Sequence, residues 1–326
     1  MNTSIYILIG GDGYLGRNFA YFLSERDISF IILDKKPKDE SFWDKFPLKN
    51  LMKKYYQFDL TLPKGIKSLS EIEVSLKNIL LNSKAIIINF AAESNINKWI
   101  LDPNECDNNN LRCCRNGFHI AYFLNEMGFL KKYIYVSDYK VNSFQARNPY
   151  ITNRKKCEDY LKFIISHTEI NFLKKIKIFR PVNLMDVVAI NVRGLINFNN
   201  NGNSILMKVI ECKPGGTMEI YGNGLSQRMF ITMNKMCDLL FQAEDSFISD
   251  VSDENFNSVR TVNIKIRDLI LSLAKSFKFN YLYIKDPRGI YSVENGILQD
   301  KVYSFYESSR DIEKIESSIN RMKTCI

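Results

Sequence analysis

The chain contains no run of about 18 or more apolar residues, so a membrane-spanning helix is not expected. Histidine is scarce: His119 and His167 are the only two in 326 residues. Two isolated imidazoles do not suggest a histidine-built metal centre, and neither stands in a Ser-His-Asp arrangement, so no metal is expected. His119 falls in a mostly apolar helical stretch, which reads as core or interface packing. The seven cysteines (106, 113, 114, 157, 212, 237 and 325) are odd in number and form no C-x-x-C pair. Free, mostly buried thiols in a reducing compartment are the simple account. With a first strand that starts almost at the N-terminus, a cytoplasmic protein is expected. Repeats and low-complexity linkers are also missing; residues 199–203 form only a short Asn/Gly loop.

Lysine and arginine number 45 against 36 acids, a net charge of +9. The lysines are scattered and do not interleave with aromatics on a recognisable module, so no nucleic-acid partner is expected. A basic surface suits a small anionic substrate.

What stands out is the run Ile9-Gly10-Gly11-Asp12-Gly13-Tyr14-Leu15-Gly16. It follows the apolar stretch Ile5–Ile9 and precedes a helical pattern from Tyr14 to about Arg26. Gly10, Gly13 and Gly16 stand three apart, the spacing at which backbone turns tightly, approaches a phosphate and lets a helix pack on a strand. The helix would aim its unpaired N–H groups and positive dipole end at a pyrophosphate. Phe30–Leu33 reads as the next strand and ends in Asp34, about 20 residues after the glycines. A carboxylate there accepts hydrogen bonds from ribose hydroxyls and repels a 2′-phosphate, which favours NAD over NADP. Lys35 and Lys36 keep NADP open as the alternative.

Short apolar strands at Tyr55–Phe58, Ala85–Phe90, Tyr133–Val136 and Ile176–Phe179 alternate with helical patterns at Glu71–Leu81, Asp107–Met127 and Tyr150–His167. This alternation predicts an α/β fold, a Rossmann-type doubly wound parallel sheet buried on both faces. Sites in such sheets lie beyond the C-terminal strand ends, where Gly10–Gly16, Asp34, Asp59, Ala91, Ser137 and Arg180 fall. From about residue 181 the alternation fails and Gly and Pro punctuate short elements. The expected division is residues 1–180, with a return around 232–263, for the dinucleotide, and 181–326 as a smaller C-terminal substrate-binding lobe.

Taken together these residues resemble the extended short-chain dehydrogenase/reductase family, the NAD-dependent epimerases and dehydratases of nucleotide sugars. The resemblance covers nearly the whole chain. It rests on Gly10-x-x-Gly13-x-x-Gly16, Asp34, Asp59-Leu60, Asn89-Phe90-Ala91-Ala92-Glu93-Ser94, Asn110, Tyr150, Arg180-Pro181-x-Asn183 and Ile220-Tyr221-Gly222-Asn223-Gly224-x-x-x-Arg228-x-Phe230-Ile231. The Phe90–Ser94 run followed by Asp102-Pro103 looks most like the dTDP-glucose 4,6-dehydratases. The resemblance implies NAD held by Gly10, Gly13, Tyr14, Leu15, Gly16, Asp34, Asp59, Leu60, Phe90, Ala91, Ala92 and Asn110. It implies a nucleotide-diphosphate sugar held by Glu93, Ser94, Asn183, Arg228 and, less securely matched, Arg288. An arginine fork suits a diphosphate.

The catalytic group departs from the family pattern. A tyrosine serves there as general acid/base, with a lysine four residues on and a Ser or Thr that orients the substrate hydroxyl. Lowering a phenol by about 3 pKa units takes about 4 kcal/mol of preferential phenolate stabilisation. Tyr150 matches the tyrosine, but Arg154 stands one helical turn on, with Lys155 about 100° further round. In one register Asp138 occupies the Ser/Thr position; slipping by one lets Ser137 serve. Only 12 positions separate Asp138 from Tyr150, a trimmed substrate loop. Dehydratases place Asp-Glu after the Thr, whereas this chain offers Asp138-Tyr139, so the reading leans to epimerase or generic epimerase/dehydratase. Two hypotheses remain: an enzyme oxidising the sugar transiently at C4 (or a keto-sugar reductase), and a degenerate member that binds NAD and nucleotide sugar without turnover. Family members dimerise through two helices, here Asp107–Met127 and Tyr150–His167, which puts Phe118, Tyr122, Tyr160 and Phe163 at a homodimer contact or in the core.

Overall fold

The computed structural model describes residues 3–45, 47–62, 67–142, 148–167, 170–184, 205–222, 224, 227–243, 250–251, 262–284 and 308–323. Its centre is a sheet of β1 (Thr3–Ile9), β2 (Phe30–Asp34), β3 (Met52–Gln57), β4 (Ser83–Asn89), β5 (Leu130–Val136), β6 (Ile176–Phe179) and β10 (Asp250–Val251). The strand order is β10-β6-β5-β4-β1-β2-β3, and every pairing is parallel.

Side chains alternate across a strand, and here both sets are apolar. Tyr6 and Leu8, Phe30 and Ile32, Ile86 and Ile88, and Ile134 and Val136 point into one core. Ile5, Ile7 and Ile9, Ile31 and Leu33, Ala85 and Ile87, and Tyr133 and Tyr135 point into the other. Helix α1 (Tyr14–Ser24) covers the first face with Phe19, Phe22 and Leu23, beside the helix Met233–Gln242 with Met236 and Leu240. Helices α4 (Lys67–Ile79), α6 (Pro103–Glu126) and α7 (Pro149–Ser166) cover the second, through Leu76, Leu124 and Leu161 among others. Each such fully buried side chain contributes about 1.5–3 kcal/mol.

Strand β6 spans the residues expected for it and β2 starts at the expected Phe30, whereas β1, β3, β4 and β5 begin two to three residues earlier. Helix α1 stops at Ser24 instead of Arg26, because Asp27 takes a left-handed φ of 55° and turns the chain toward β2. The short helices α2 (Glu40–Trp43), α3 (Leu48–Leu51), α5 (Ile96–Leu101) and α8 (Ile170–Leu173) had no periodic signal in the sequence.

Beyond β6 the chain builds smaller sheets. β7 (Asn183–Leu184) pairs parallel with β9 (Gln227–Ile231), which pairs antiparallel with β11 (Val262–Lys265). β8 (Thr217–Tyr221) pairs with β12 (Asn280–Ile284). Met218, Phe230, Ile264 and Leu269 continue the core that lies under α1. Between these elements the chain returns to the main sheet as β10, beside β6. No described helix is long and apolar enough to cross a membrane.

Candidate active site

The glycine turn leaves β1 with its three glycines doing different jobs. Gly10 has φ +71°, and a Cβ there would fall 2.7 Å from the Ala91 nitrogen. A Cβ on Gly16 would fall 2.5 Å from Gly11 Cα. The protein's own backbone therefore requires both glycines. Gly13 is an ordinary extended residue (φ −77°, ψ 170°), and a Cβ there would meet only the Gly10 carbonyl oxygen, at 3.2 Å. As N-cap of α1 it supplies no capping side chain. A bare helix N-terminus with no methyl at its mouth fits a pyrophosphate.

Around that turn the neighbouring strand ends are tied down. Gly10 donates its N–H to the Leu33 carbonyl (2.7 Å), and Phe90 donates to Ile9 (2.8 Å). The Asp34 carboxylate, 8% exposed, accepts N–H bonds from Asp12 (2.9 Å) and Lys36 (3.0 Å). Asn89, fully buried, accepts from the Ala91 nitrogen (3.0 Å) and donates to Cys113 O and the Tyr133 hydroxyl. Asp59 accepts from Thr61 N (2.9 Å), and the Leu60 carbonyl is held by Asn116 Nδ2 at 2.7 Å. Asn116 was not read from the sequence, since its partner lies 56 residues away.

Asn110 and Glu93 act on one another. Asn110 accepts from the Glu93 nitrogen (2.6 Å) and donates to its carbonyl (3.2 Å), which fixes the loop after β4. The Glu93 carboxylate pairs with Lys98 at 2.7 Å and accepts from Asn95 N. Asp102 caps α6 by accepting from Glu105 N (2.9 Å), so the Asp102-Pro103 dipeptide has a helix-starting role of its own.

A cavity of about 150 Å³ opens beside the C-terminal ends of β4 and β5. Leu15, Phe90, Ala92, Ser94, Ser137, Asp138, Tyr150, Arg154 and Asn183 line it. Asn148 starts α7 by accepting from Tyr150 N (3.0 Å) with Pro149 at the first helical position, so Tyr150 sits in the first turn and Arg154 one turn on. Arg154 is 5% exposed. Its Nε donates to the Tyr150 hydroxyl at 3.1 Å, and its Nη1 donates to the Tyr135 hydroxyl at 3.0 Å. Lys155 turns outward to Asp159 (3.4 Å), so the cation facing Tyr150 is Arg154.

Electrostatics in the cavity are opposed. Burial raises the Tyr150 phenol above its ordinary value, and Asp138 adds to that, while Arg154 pulls it down. Trp99, delivered by α5, packs edge-on against Tyr150 with centroids 6.0 Å apart, dehydrating one side. Ser137 is 3% exposed and its Oγ has no hydrogen-bond partner among the described residues. A buried hydroxyl without a partner is costly and fits a site meant for a ligand hydroxyl. Asp138 lines the same cavity, its Oδ1 accepting from Lys140 N (2.9 Å).

On the far side, Asn183 Nδ2 donates to Met229 O (2.8 Å) and the Tyr139 hydroxyl (3.4 Å). Arg228, on β9, acts electrostatically on Tyr139 and Lys140. Burial pushes the Lys140 ammonium down to about 8, with Asp138 opposing and Arg228 assisting. Arg288 and Asn223 lie outside the described residues. Among the described residues no group of three or more His, Cys, Asp or Glu side chains is placed to hold a metal ion.

No family model matches the chain. An uncharacterized protein of Schizosaccharomyces pombe is 24% identical over 334 residues, covering 95% of this chain and 91% of that protein. Among solved structures, the UDP-N-acetylglucosamine 4-epimerase of Methanobrevibacter ruminantium, in complex with UDP-N-acetylmuramic acid, superposes with a TM-score of 0.66 at 17% identity over the full length of both chains. The UDP-glucose 4-epimerase of Bifidobacterium longum, in complex with NAD⁺ and UDP, gives 0.64 at 15% identity over 98% of each chain. A monomeric L-threonine 3-dehydrogenase from a metagenome gives 0.63 at 13% identity over 98% of this chain and 99% of that one. The chain shares with all three a Rossmann-type α/β fold along nearly its whole length.

Proposed function

We propose that the chain is an NAD-dependent nucleotide-sugar epimerase or dehydratase acting through transient oxidation at the sugar C4 position. The observation that supports this most is the convergence of Ser137, Tyr150 and Arg154 on one cavity that Leu15 of the glycine run also lines. In the proposed assignment Gly10–Gly16 and Asp34 hold the dinucleotide, with Asp59, Leu60 and Phe90–Ala92 beside it, Asn110 acting by fixing the Glu93 loop. Residues 1–180, with a return around 232–263, form the dinucleotide part, and 181–326 the sugar-nucleotide part, with Asn183, Arg228 and Arg288 on the substrate.

NAD, when bound, would supply the hydride acceptor. Ser137 Oγ orients the sugar hydroxyl. Tyr150 takes that hydroxyl proton, with Arg154 stabilising the phenolate by charge and by its 3.1 Å hydrogen bond. Arg154 is itself held in line by Tyr135. The epimerase outcome is preferred over dehydration, because Tyr139 stands where a dehydratase carries an acid. Incubating purified protein with NAD⁺ and a panel of UDP-, dTDP- and GDP-sugars tests the proposal. Mass-shifted or epimerised product from the wild type, abolished in Tyr150→Phe, is expected; no turnover across the panel refutes it.

A second reading has a specific basis. Burial outweighs Arg154 at Tyr150 and leaves the phenol above its ordinary value, as in a member that binds both ligands without turnover. That reading expects calorimetric binding of NAD and nucleotide sugar with no product.

A further inference from the structure

We propose that Asp12 is a second cofactor-selecting residue: by engaging Arg17 it denies a charge partner to a 2′-phosphate on the adenosine ribose. The proposal rests on the dinucleotide reading of the glycine turn and deepens it. Asp12 lies inside that turn, and its N–H donates to Asp34 Oδ2 at 2.9 Å, so the two acids are neighbours where the ribose hydroxyls bind on that reading. The Asp12 side chain is 2% exposed, an unusual place for a carboxylate. Three donors hold its Oδ1: Arg17 Nη2 (2.8 Å), Arg17 Nε (3.1 Å) and Trp43 Nε1 (2.7 Å).

The Arg17 guanidinium is committed on its other side as well. Its Nη1 reaches Asp39 Oδ2 at 3.1 Å, and its plane lies over the Phe42 ring, 4.6 Å from the centroid. The short helix α2 thus wraps Arg17 with Phe42 and Trp43. Asp12, Asp34 and Asp39 against Arg17 leave the cluster formally at −2. Tyr55 feels this balance: burial first, then Asp12 and Asp34, push its phenol far up, and only Arg17 opposes them among these groups.

Arginine paired with phosphate is the means by which a dinucleotide site accepts the 2′-phosphate of NADP. Here that arginine is present and already neutralised. Free ribose hydroxyls donate hydrogen bonds into a negative rim, whereas a phosphate dianion meets two carboxylates and a spent guanidinium. Asp34 does not act alone there: while still open to the ribose hydroxyls, its two oxygens hold the Asp12 and Lys36 N–H groups, which fixes Asp12 beside it.

Calorimetric titration of the full chain with NADH and NADPH tests this. Wild type is expected to prefer NADH. Asp12→Asn keeps the acceptor shape but frees charge on Arg17, and is expected to shift the preference toward NADPH by about tenfold. Asp39→Asn, at the half-exposed partner, shifts it the same way by less, and reports on the proposal even if Asp12→Asn fails to fold. A preference unchanged within about twofold in the variants that fold overturns the proposal and leaves the dinucleotide reading standing. Wild type that binds neither dinucleotide overturns both.

Discussion

Replacing Gly10 and Gly13 by alanine separates a glycine the fold needs from a glycine a ligand needs. At Gly10 (φ +71°) alanine must enter the left-handed region, which costs about 1–2 kcal/mol. Its methyl also lands 2.7 Å and 2.8 Å from Ala91 backbone atoms, an overpacking worth about 1–3 kcal/mol more. Gly10→Ala should therefore lose roughly 3 kcal/mol of stability in urea titration. At Gly13 the backbone is one any residue adopts, and the methyl meets only one carbonyl oxygen at 3.2 Å. A few tenths of strain set against about 0.4–1 kcal/mol gained from the unfolded chain leave Gly13→Ala within about 1 kcal/mol of wild type. Its affinity for NADH should nevertheless fall at least about tenfold, about 1.4 kcal/mol, because the methyl occupies the mouth of α1. Calorimetry beside the urea titration checks both. If Gly13→Ala binds NADH as wild type does, the pyrophosphate is not held there.

Other outcomes follow from particular contacts. Arg154→Met leaves Tyr150 buried beside Asp138 without its counter-charge, so the phenol rises further; the pH–rate curve, which climbs as the phenol deprotonates, should move up by about one unit or more. Glu158 and Arg180 form a buried two-point pair (2.9 and 2.6 Å, 2% and 6% exposed) tying α7 to the end of β6. Glu158→Gln removes the carboxylate from this buried pair and should cost about 3–5 kcal/mol in denaturant titration; a loss below about 1 kcal/mol would contradict the buried pair. For self-association, Phe118 is in the core against Tyr133 and Phe172, whereas Tyr122 and Phe163 are 41% and 65% exposed on α6 and α7. A homodimer through that face predicts twice the monomer mass in light scattering, reverting in Phe163→Glu; a monomeric wild type removes it.

Much of the fold was legible because the inner strands are buried on both faces and read as short, largely apolar runs, whereas the edge strand β3 exposes Lys53 and Lys54. Ile176–Phe179 and the Tyr150 helix were placed to within a residue on that basis. The segment 40–51 was not, since four-residue helices show no period. That segment nevertheless carries Trp43, whose bond to Asp12 spans 31 residues. Trp99 and Asn116 were missed for the same reason: their importance comes from partners distant in sequence. The sequence left two choices open at the candidate catalytic group. Helix geometry answers the first by turning Lys155 to solvent and Arg154 to Tyr150. In the second, Ser137 and Asp138 both reach the cavity, and Ser137 Oγ, which has no hydrogen-bond partner among the described residues, favours the serine as the hydroxyl anchor.

A nucleotide sugar carrying deuterium at C4, turned over by the purified chain with unlabelled NAD⁺ in ordinary water, bears most directly on the proposed chemistry. Hydride removed from C4 and returned to the same sugar without leaving the site stays with it. The product should keep its deuterium, and Tyr150→Phe should form no product. Product that has exchanged its label with solvent, or turnover undiminished in Tyr150→Phe, would contradict reversible oxidation at C4 by the Ser137–Tyr150–Arg154 group.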